Sequence, residues 1–249
     1  MPLLAVLGWG LVAQSAVRRP VVDRSAMREA ISSARAAPEV SLVSPASYAH
    51  FLRAQRAALE GRHQDAVDAL RLALATDEDS PYLLTRLGEE YALLGDDARA
   101  ERELRRAVAR HPRYYPGRVM LARVLMEARR GAQAQAQLRQ ALRLAPREPE
   151  AYLLLAMVAE SRGDVAGAVA AVRKALYLEP QLAIGHAMLV AMYGQLGQPE
   201  EAERARRNAL RALEGLDDEV MLRGVESMTV GGLRRALEPA VKQGRSGAR

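Results

Sequence analysis

Apolar residues recur at helical spacing in short blocks from Ser47 almost to the C-terminus, and the blocks repeat every 34 residues. Alanine occupies one position of each period and another position seven residues later, at Ala66, Ala100, Ala134, Ala168 and Ala202 and then at Ala73, Ala107, Ala141, Ala175 and Ala209. Because residues seven apart share one face of a helix, each period is expected to contain a helix that lets a neighbour approach to about 8–10 Å.

Larger apolar residues and turn signals follow the same period. Leucine or valine lies beside the alanines at Leu70, Leu104, Leu138 and Val172, and leucine marks an earlier helix at Leu87, Leu121, Leu155 and Leu189. Glycines predict the turn between the two helices, at Gly61, Gly95, Gly163 and Gly197. The third period has Arg129-Arg130-Gly131 there, which predicts a shifted turn. Prolines, at Pro112, Pro146 and Pro180, are expected to end the second helix.

One period resembles a known repeat most clearly. The second period contains Leu84-x2-Leu87-Gly88-x2-Tyr91, followed by Ala100, Leu104, Ala107 and Pro112. This pattern is similar to the tetratricopeptide repeat, with Leu84 in place of the usual tryptophan. The resemblance implies an all-α fold, a right-handed superhelix of about five helix–turn–helix units. These units would cover residues 47–216, as 47–80, 81–114, 115–148, 149–182 and 183–216.

The two ends of the array are expected to differ from its middle. Arg53 and Arg206 replace core apolar residues in the first and last units, as is typical of units with one exposed face. Residues 217–249 are predicted to form a C-terminal capping helix and a tail, with Thr229 as the helix cap and the helix running to about Val241.

The tail carries a second resemblance. Residues 174–180, His186, residues 207–216 and residues 229–233 are similar to the repeat region that follows the catalytic domain in some bacterial chemotaxis-receptor methyltransferases. The sequence leaves no room for that catalytic domain, so methyl transfer is not implied. The resemblance implies a bacterial relative connected with signalling.

The first 46 residues lie outside the periodic region. Residues 1–20 form an apolar N-terminal segment in which Pro2 to Val17 carry no charge, a stretch shorter than a membrane-spanning helix needs. Its length suits a secretory signal with a cleavage site at Ala13-Gln14-Ser15, but no basic residue precedes it, so a membrane anchor, a functionless leader and a misassigned start stay open. Residues 21–46 are predicted to be a linker with a short helix. The expected location is the periplasm or a membrane if residues 1–20 act as a signal, and otherwise the cytoplasm.

Composition argues against several classes of activity. The formal charge is +6, but basic and acidic residues alternate in stretches such as residues 101–106, and Phe, Trp and Tyr make up only 4% of the chain. Nucleic-acid binding is therefore not expected. The absence of cysteine excludes disulfides, thiolate catalysis and cysteine-ligated zinc. The four histidines are far apart in sequence, and no phosphate-binding loop is present. We expect no catalytic residue, cofactor or metal.

The expected function is therefore that of a non-enzymatic scaffold, which binds a peptide or helix of a partner protein in the concave groove of the superhelix. In the tetratricopeptide family, binding residues come from the second, fifth, ninth, twelfth and thirteenth positions of each first helix. Those positions select Tyr82, Thr85, Glu89, Arg123, Met126, Glu127, Leu153, Met157 and Glu160. The alternative is an exported factor of the same fold that helps to assemble a pilus, secretion or outer-membrane complex. Contact with a membrane is expected only through residues 1–20.

Overall fold

The computed structural model describes residues 44–222 and 228–238, so the apolar segment 1–20, the predicted linker helix and the tail beyond residue 238 lie outside the described residues. In the described ranges the chain is all-α and contains no strand, apart from one isolated bridge between Met221 and Thr229. The helices are α1 Pro45–Leu59, α2 His63–Thr76, α3 Pro81–Leu93, α4 Asp97–Arg110, α5 Tyr115–Glu127, α6 Gly131–Leu144, α7 Pro149–Ser161, α8 Val165–Leu178, α9 Ala183–Gln195, α10 Pro199–Ala212 and α11 Val230–Leu237.

The predicted units agree with the helix bounds to within two residues. Helix α1 begins at Pro45, slightly before the expected Ser47, because the Ser44 side chain caps it by accepting a hydrogen bond from the Ser47 amide. Helix α11 ends at Leu237, four residues before the predicted end at Val241.

The chain divides after Arg162 into two compact units. In the first unit the helices pack in pairs, α1 with α2, α3 with α4 and α5 with α6, and each second helix also contacts the first helix of the next pair. The first helices α3 and α5 touch each other directly, as do α5 and α7. One side of this unit is therefore built from first helices only.

The alanine columns lie where the sequence predicts, at the helix interfaces. In the first unit, the six column alanines of α2, α4 and α6 are almost completely buried, together with Leu70, Leu104 and Leu138. Gly88 of α3 faces Leu104 so closely that a Cβ there would lie 2.5 Å from the Leu104 Cγ atom. Small residues thus set the spacing of the helices, and leucines fill the space beside them.

The turn of the third pair corrects the sequence analysis. Gly61 and Gly95 adopt φ angles of +71° and +75° in the turns of the first two pairs, and Arg129 adopts +58° at the corresponding position of the third. The prediction of a shifted turn is wrong, because Arg129 itself takes the left-handed conformation that glycine takes elsewhere. This conformation is strained for a residue with a Cβ atom.

A polar residue on three first helices binds the loop before it. The Arg118 Nη2 atom donates to the Pro112 carbonyl at 2.8 Å, and the Tyr152 hydroxyl donates to the Pro146 carbonyl at 3.3 Å. In the second unit, His186 Nε2 lies 2.9 Å from the Pro180 carbonyl, which accepts its hydrogen. These residues therefore satisfy backbone carbonyls that the preceding helices leave unpaired at their ends.

The second unit consists of α8–α11 and ends in the predicted cap. Val230 and Leu233 of α11 are fully buried in one apolar cluster with Ala209 and Leu213. The Thr229 side chain accepts a hydrogen bond from the Gly232 amide, as expected for the capping residue. Arg234 donates to the carbonyls of Leu213 (2.6 Å) and Leu216 (2.9 Å), which binds α11 to the loop after α10.

Candidate protein-binding surface

Aromatic side chains form a row along the first-helix side of the first unit. The row consists of Tyr48, Phe51, Tyr82, Tyr114 and Tyr115, which are five of the nine Phe and Tyr residues of the chain. The rings of Tyr48 and Phe51 have centroids 6.3 Å apart, and the Tyr82 ring meets Phe51 edge to face at 5.2 Å. Tyr48 is 50% exposed, so the row opens to solvent at α1.

The row continues from α3 to α5 through tyrosines that stay neutral. Burial raises the pKa of Tyr82, and burial followed by the nearby Tyr82 and Tyr115 phenols raises the pKa of Tyr114 strongly. Burial, followed by the charge of Glu148, raises the pKa of Tyr115 to about 12. The Tyr115 hydroxyl donates to Glu148 Oε2 at 3.0 Å. The half-buried Tyr82 and Tyr115 therefore offer apolar ring faces and neutral hydroxyls, whereas Tyr114 is buried beside them.

Two of the three predicted residues of α3 lie on this side. Tyr82 is half-buried in the aromatic row, and Glu89 is half-buried and paired with Arg86. Thr85, in contrast, is buried, and its hydroxyl donates to the Pro81 carbonyl at 2.7 Å. It lies close against Gly117 of α5, so it contributes to helix packing and not to an open surface.

The predicted residues of α5 include one charge that is already paired across helices. Arg123 forms an ion pair with Glu150 of α7, and the Arg123 side chain is only 13% exposed. Met126 is half-buried against the apolar core, and Glu127 is exposed. The Arg123–Glu150 pair therefore joins the first helices of two neighbouring pairs.

The predicted residues of α7 are less accessible than expected. Leu153 is buried. Met157 packs half-buried against the core, and Glu160 is half-buried. Of the nine predicted positions the structure thus leaves Glu127 exposed, Thr85 and Leu153 buried, and the other six half-buried.

Sequence reasoning missed the more exposed apolar residues of this side. Tyr48 and Leu59 of α1, the latter 65% exposed, occupy the second and thirteenth positions of the first predicted unit. Leu93 of α3 occupies the thirteenth position of the second 34-residue repeat, residues 81–114, and is also exposed. The five-position rule finds all three residues when it is applied from the first unit onward.

Other kinds of site have little support in the described ranges. No group of three or more His, Asp or Glu residues in residues 44–222 and 228–238 is placed to hold a metal ion. Among the same residues, no helix has the length and apolar character needed to cross a membrane.

Comparison with known proteins supports the resemblance to the tetratricopeptide repeat. A family model described as tetratricopeptide repeat matches residues 119–183. The structure of MamA 41-end from Desulfovibrio magneticus RS-1 is 20% identical and covers 70% of this chain and 99% of that one, with a TM-score of 0.61. A second structure, the thermophilic TPR protein TTC0263 of Thermus thermophilus, is 25% identical and covers 67% of this chain and 91% of that one, with a TM-score of 0.58. No curated protein matches the chain significantly. The helix pairs, their 34-residue period and the matched segment together support the tetratricopeptide-repeat family for this chain.

Proposed function

We propose that this protein is a non-enzymatic interaction scaffold that binds a peptide or helix of a partner protein on the first-helix side of its first unit. Tetratricopeptide repeats are typically non-catalytic modules that bind protein partners. The observation that carries the proposal is the aromatic row, which begins in solvent at Tyr48 and continues across α1, α3 and α5.

The chemistry of this side suits protein recognition. Tyrosine and arginine are enriched among the residues that dominate binding energy, because they offer large contact areas and fixed polar groups. Leu59 and Leu93 add exposed apolar area at the other ends of α1 and α3, about 16 Å along the helices from Tyr48 and Tyr82. Glu89 and the Arg123–Glu150 pair add charge beside it, which resembles the polar rim of an interface.

Two exposed leucines provide a matched test. Leu59 of α1 is 65% exposed on the first-helix side, and Leu72 of the second helix α2 is 53% exposed. After a partner has been recovered with the wild-type protein as bait, its affinity should be measured for Tyr48→Ala, Leu59→Ala and Leu72→Ala. We expect the first two substitutions to weaken binding by about tenfold, the effect of an interface anchor, and Leu72→Ala to leave it unchanged.

The melting temperature of all three variants should stay near that of the wild type, because the replaced side chains are exposed. If only Leu72→Ala weakens binding, the partner binds second helices and the proposed surface is wrong. Equal affinity of all four proteins would also contradict the proposal.

The alternative, an exported factor for assembly of an envelope complex, stays a prediction because residues 1–20 lie outside the described residues. A reporter that is active only outside the cytoplasm, fused after Arg249, tests it. Signal that depends on residues 1–20 would support export, and no signal from the full-length fusion would contradict it. A bacterial origin and a connection with chemotaxis signalling likewise stay predictions.

A further inference from the structure

The positive charge of the chain is concentrated around the third repeat. Residues 113–147 contain eight arginines and one acidic residue, and this net charge of +7 exceeds the net charge of +6 of the whole protein. Helix α6, residues 131–144, contains no acidic residue at all. This segment breaks the alternation of basic and acidic side chains that is found in stretches such as residues 101–106.

Six of these arginines lack an acidic partner within the described residues, since only Arg123 and Arg130 form ion pairs. One of the six, Arg129, lies in the turn before α6. The other five form what we call the arginine patch, made of Arg113, Arg118, Arg139, Arg143 and Arg147. On the preceding second helix, α4, arginines are balanced by acids, since Arg105, which corresponds to Arg139, pairs with Glu101 at 2.7 Å and Arg110 pairs with Asp79 at 3.2 Å. The patch is therefore a local departure from the pattern in the same unit.

The repeat geometry brings the patch together. Arg139 and Arg143 are four residues apart on α6, so they share one helix face, and both are exposed. Arg113 and Arg147 occupy the same position in successive units, and both are exposed in the loops after α4 and α6. Both loops follow second helices that pack against the same first helix, α5.

Arg118 connects these two groups. Its guanidinium donates to the Pro112 carbonyl, next to Arg113, and to the side-chain oxygens of Gln137 (3.1 Å) and Gln140 (2.5 Å) on α6. All these partners are neutral, so they satisfy its hydrogen bonds without cancelling its charge. Burial, followed by the charge of Arg143, lowers the pKa of Arg118, which places Arg143 near it. A buried, uncompensated charge raises the positive potential at the surface above it.

We propose that the arginine patch, which is centred on the second helix α6, binds an acidic segment of a partner protein. Guanidinium groups bind carboxylates in a bidentate manner, and adjacent arginines on a helix and two loops can hold several carboxylates at once.

The surroundings of the patch favour an acidic protein segment as its ligand over single-stranded nucleic acid and over a membrane surface. Proteins that hold single-stranded nucleic acid combine basic groups with exposed aromatic rings that stack on bases, and helix α6, which carries Arg139 and Arg143, contains no aromatic residue. Helices that lie in a membrane surface expose several large apolar residues beside their basic ones, whereas Leu144 is the single large apolar residue of α6 that is exposed.

A matched pair of double variants tests the proposal in the full-length protein. The double variant Arg139→Glu/Arg143→Glu reverses two charges of the patch. The control, Arg53→Glu/Arg71→Glu, makes the same change in net charge on α1 and α2. Arg53 and Arg71 are exposed and also lack an acidic partner in the described residues. Binding of a fluorescent polyglutamate peptide should be followed by anisotropy at physiological ionic strength. We expect the patch variant to weaken binding by about tenfold and the control to change it little.

Three results would overturn the proposal. Equal weakening by both double variants would mean that polyglutamate responds to net charge only. Patch-dependent binding of single-stranded DNA, or of vesicles containing phosphatidylserine, that is tighter than binding of polyglutamate would assign the patch to another polyanion. Absence of polyglutamate binding to the wild type would remove the site.

Because glutamates near the end of α6 oppose the helix dipole, Arg139→Gln/Arg143→Gln should be measured beside the double glutamate variant. It should weaken binding less than the glutamate variant does and keep the melting temperature of the wild type. Leu59→Ala, which tests the first-helix side, should leave polyglutamate binding unchanged, so the two surfaces can fail independently.

Discussion

Replacement of Arg129 by glycine should stabilise the protein. Arg129 adopts a φ angle of +58° in the turn between α5 and α6, where the turns of the first two pairs have glycine. The left-handed conformation costs a residue with a Cβ atom about 1–2 kcal/mol. Glycine avoids this cost but gives the unfolded chain more freedom, which offsets about 0.4–1 kcal/mol. The expected net gain in the free energy of unfolding is therefore about 0.5–1 kcal/mol.

The side chain itself should contribute little to this balance. Arg129 is exposed, and in the described part of the chain no ion pair or side-chain hydrogen bond involves it. Urea unfolding followed by far-ultraviolet circular dichroism measures the change, and the melting temperature should rise by about 1–4 °C. Because repeat arrays unfold partly by segments, hydrogen exchange of α5 and α6 provides a local measure of the same effect.

The opposite substitution in the second pair is the matched control. Gly95 has a φ angle of +75°, and a Cβ atom added there would meet no atom within 4 Å, so Gly95→Ala tests the backbone conformation alone. It should destabilise the protein by about 1 kcal/mol. A lower urea midpoint for Arg129→Gly, or an unchanged midpoint for Gly95→Ala, would refute the reasoning.

Three further substitutions or conditions test the packing of the first unit. Ala107→Leu should lower the free energy of unfolding by about 1–3 kcal/mol because Ala107 is fully buried between helices, and wild-type stability in urea would contradict its assigned place. His63→Ala should cost about 1–3 kcal/mol, because His63 Nδ1 lies 2.9 Å from the Oε2 atom of the buried Glu90, and thermal unfolding measures this loss. Burial raises the pKa of Tyr115 from 10.0 to about 12, so the unfolded state loses this proton first and stability should fall between these pH values. Ultraviolet titration of Tyr115→Phe beside the wild type checks the assignment.

The periodic features of the fold could be predicted because each depends on residue size at a fixed position. Alanine at the helix interfaces, glycine in the turns and threonine before the last helix all act through the local backbone or the nearest helix. The prediction of a shifted turn at Arg129 was wrong because it treated the preference of this turn position for glycine as a requirement. The repeat geometry instead fixes the backbone of this turn and forces Arg129 to adopt it.

The surface could be predicted only in part, because partners that are distant in sequence decide which side chains are open. Thr85 satisfies the position rule but is buried against Gly117 of the next first helix. Arg123 also satisfies it, yet it pairs with Glu150, which lies 27 residues later. Neither the packing of Thr85 nor the ion pair of Arg123 recurs in every repeat, so the 34-residue period of the sequence does not reveal these contacts.

The position four residues into each first helix shows how a repeat keeps its fold while its units diverge. The tetratricopeptide pattern usually has tryptophan there, whereas this chain has Leu84, Arg118 and Tyr152 in three successive 34-residue repeats. Leu84 is buried among apolar groups, while Arg118 and Tyr152 each donate to a proline carbonyl six residues earlier. The fold therefore requires only that this side chain fill its site and, where it is polar, find the carbonyl. Arg118 meets both conditions and also brings a positive charge to the third 34-residue repeat, residues 115–148. The fourth position of the first helix thus serves packing at Leu84, while at Arg118 it also adds charge to the proposed binding patch, and the helices keep the same arrangement in both repeats.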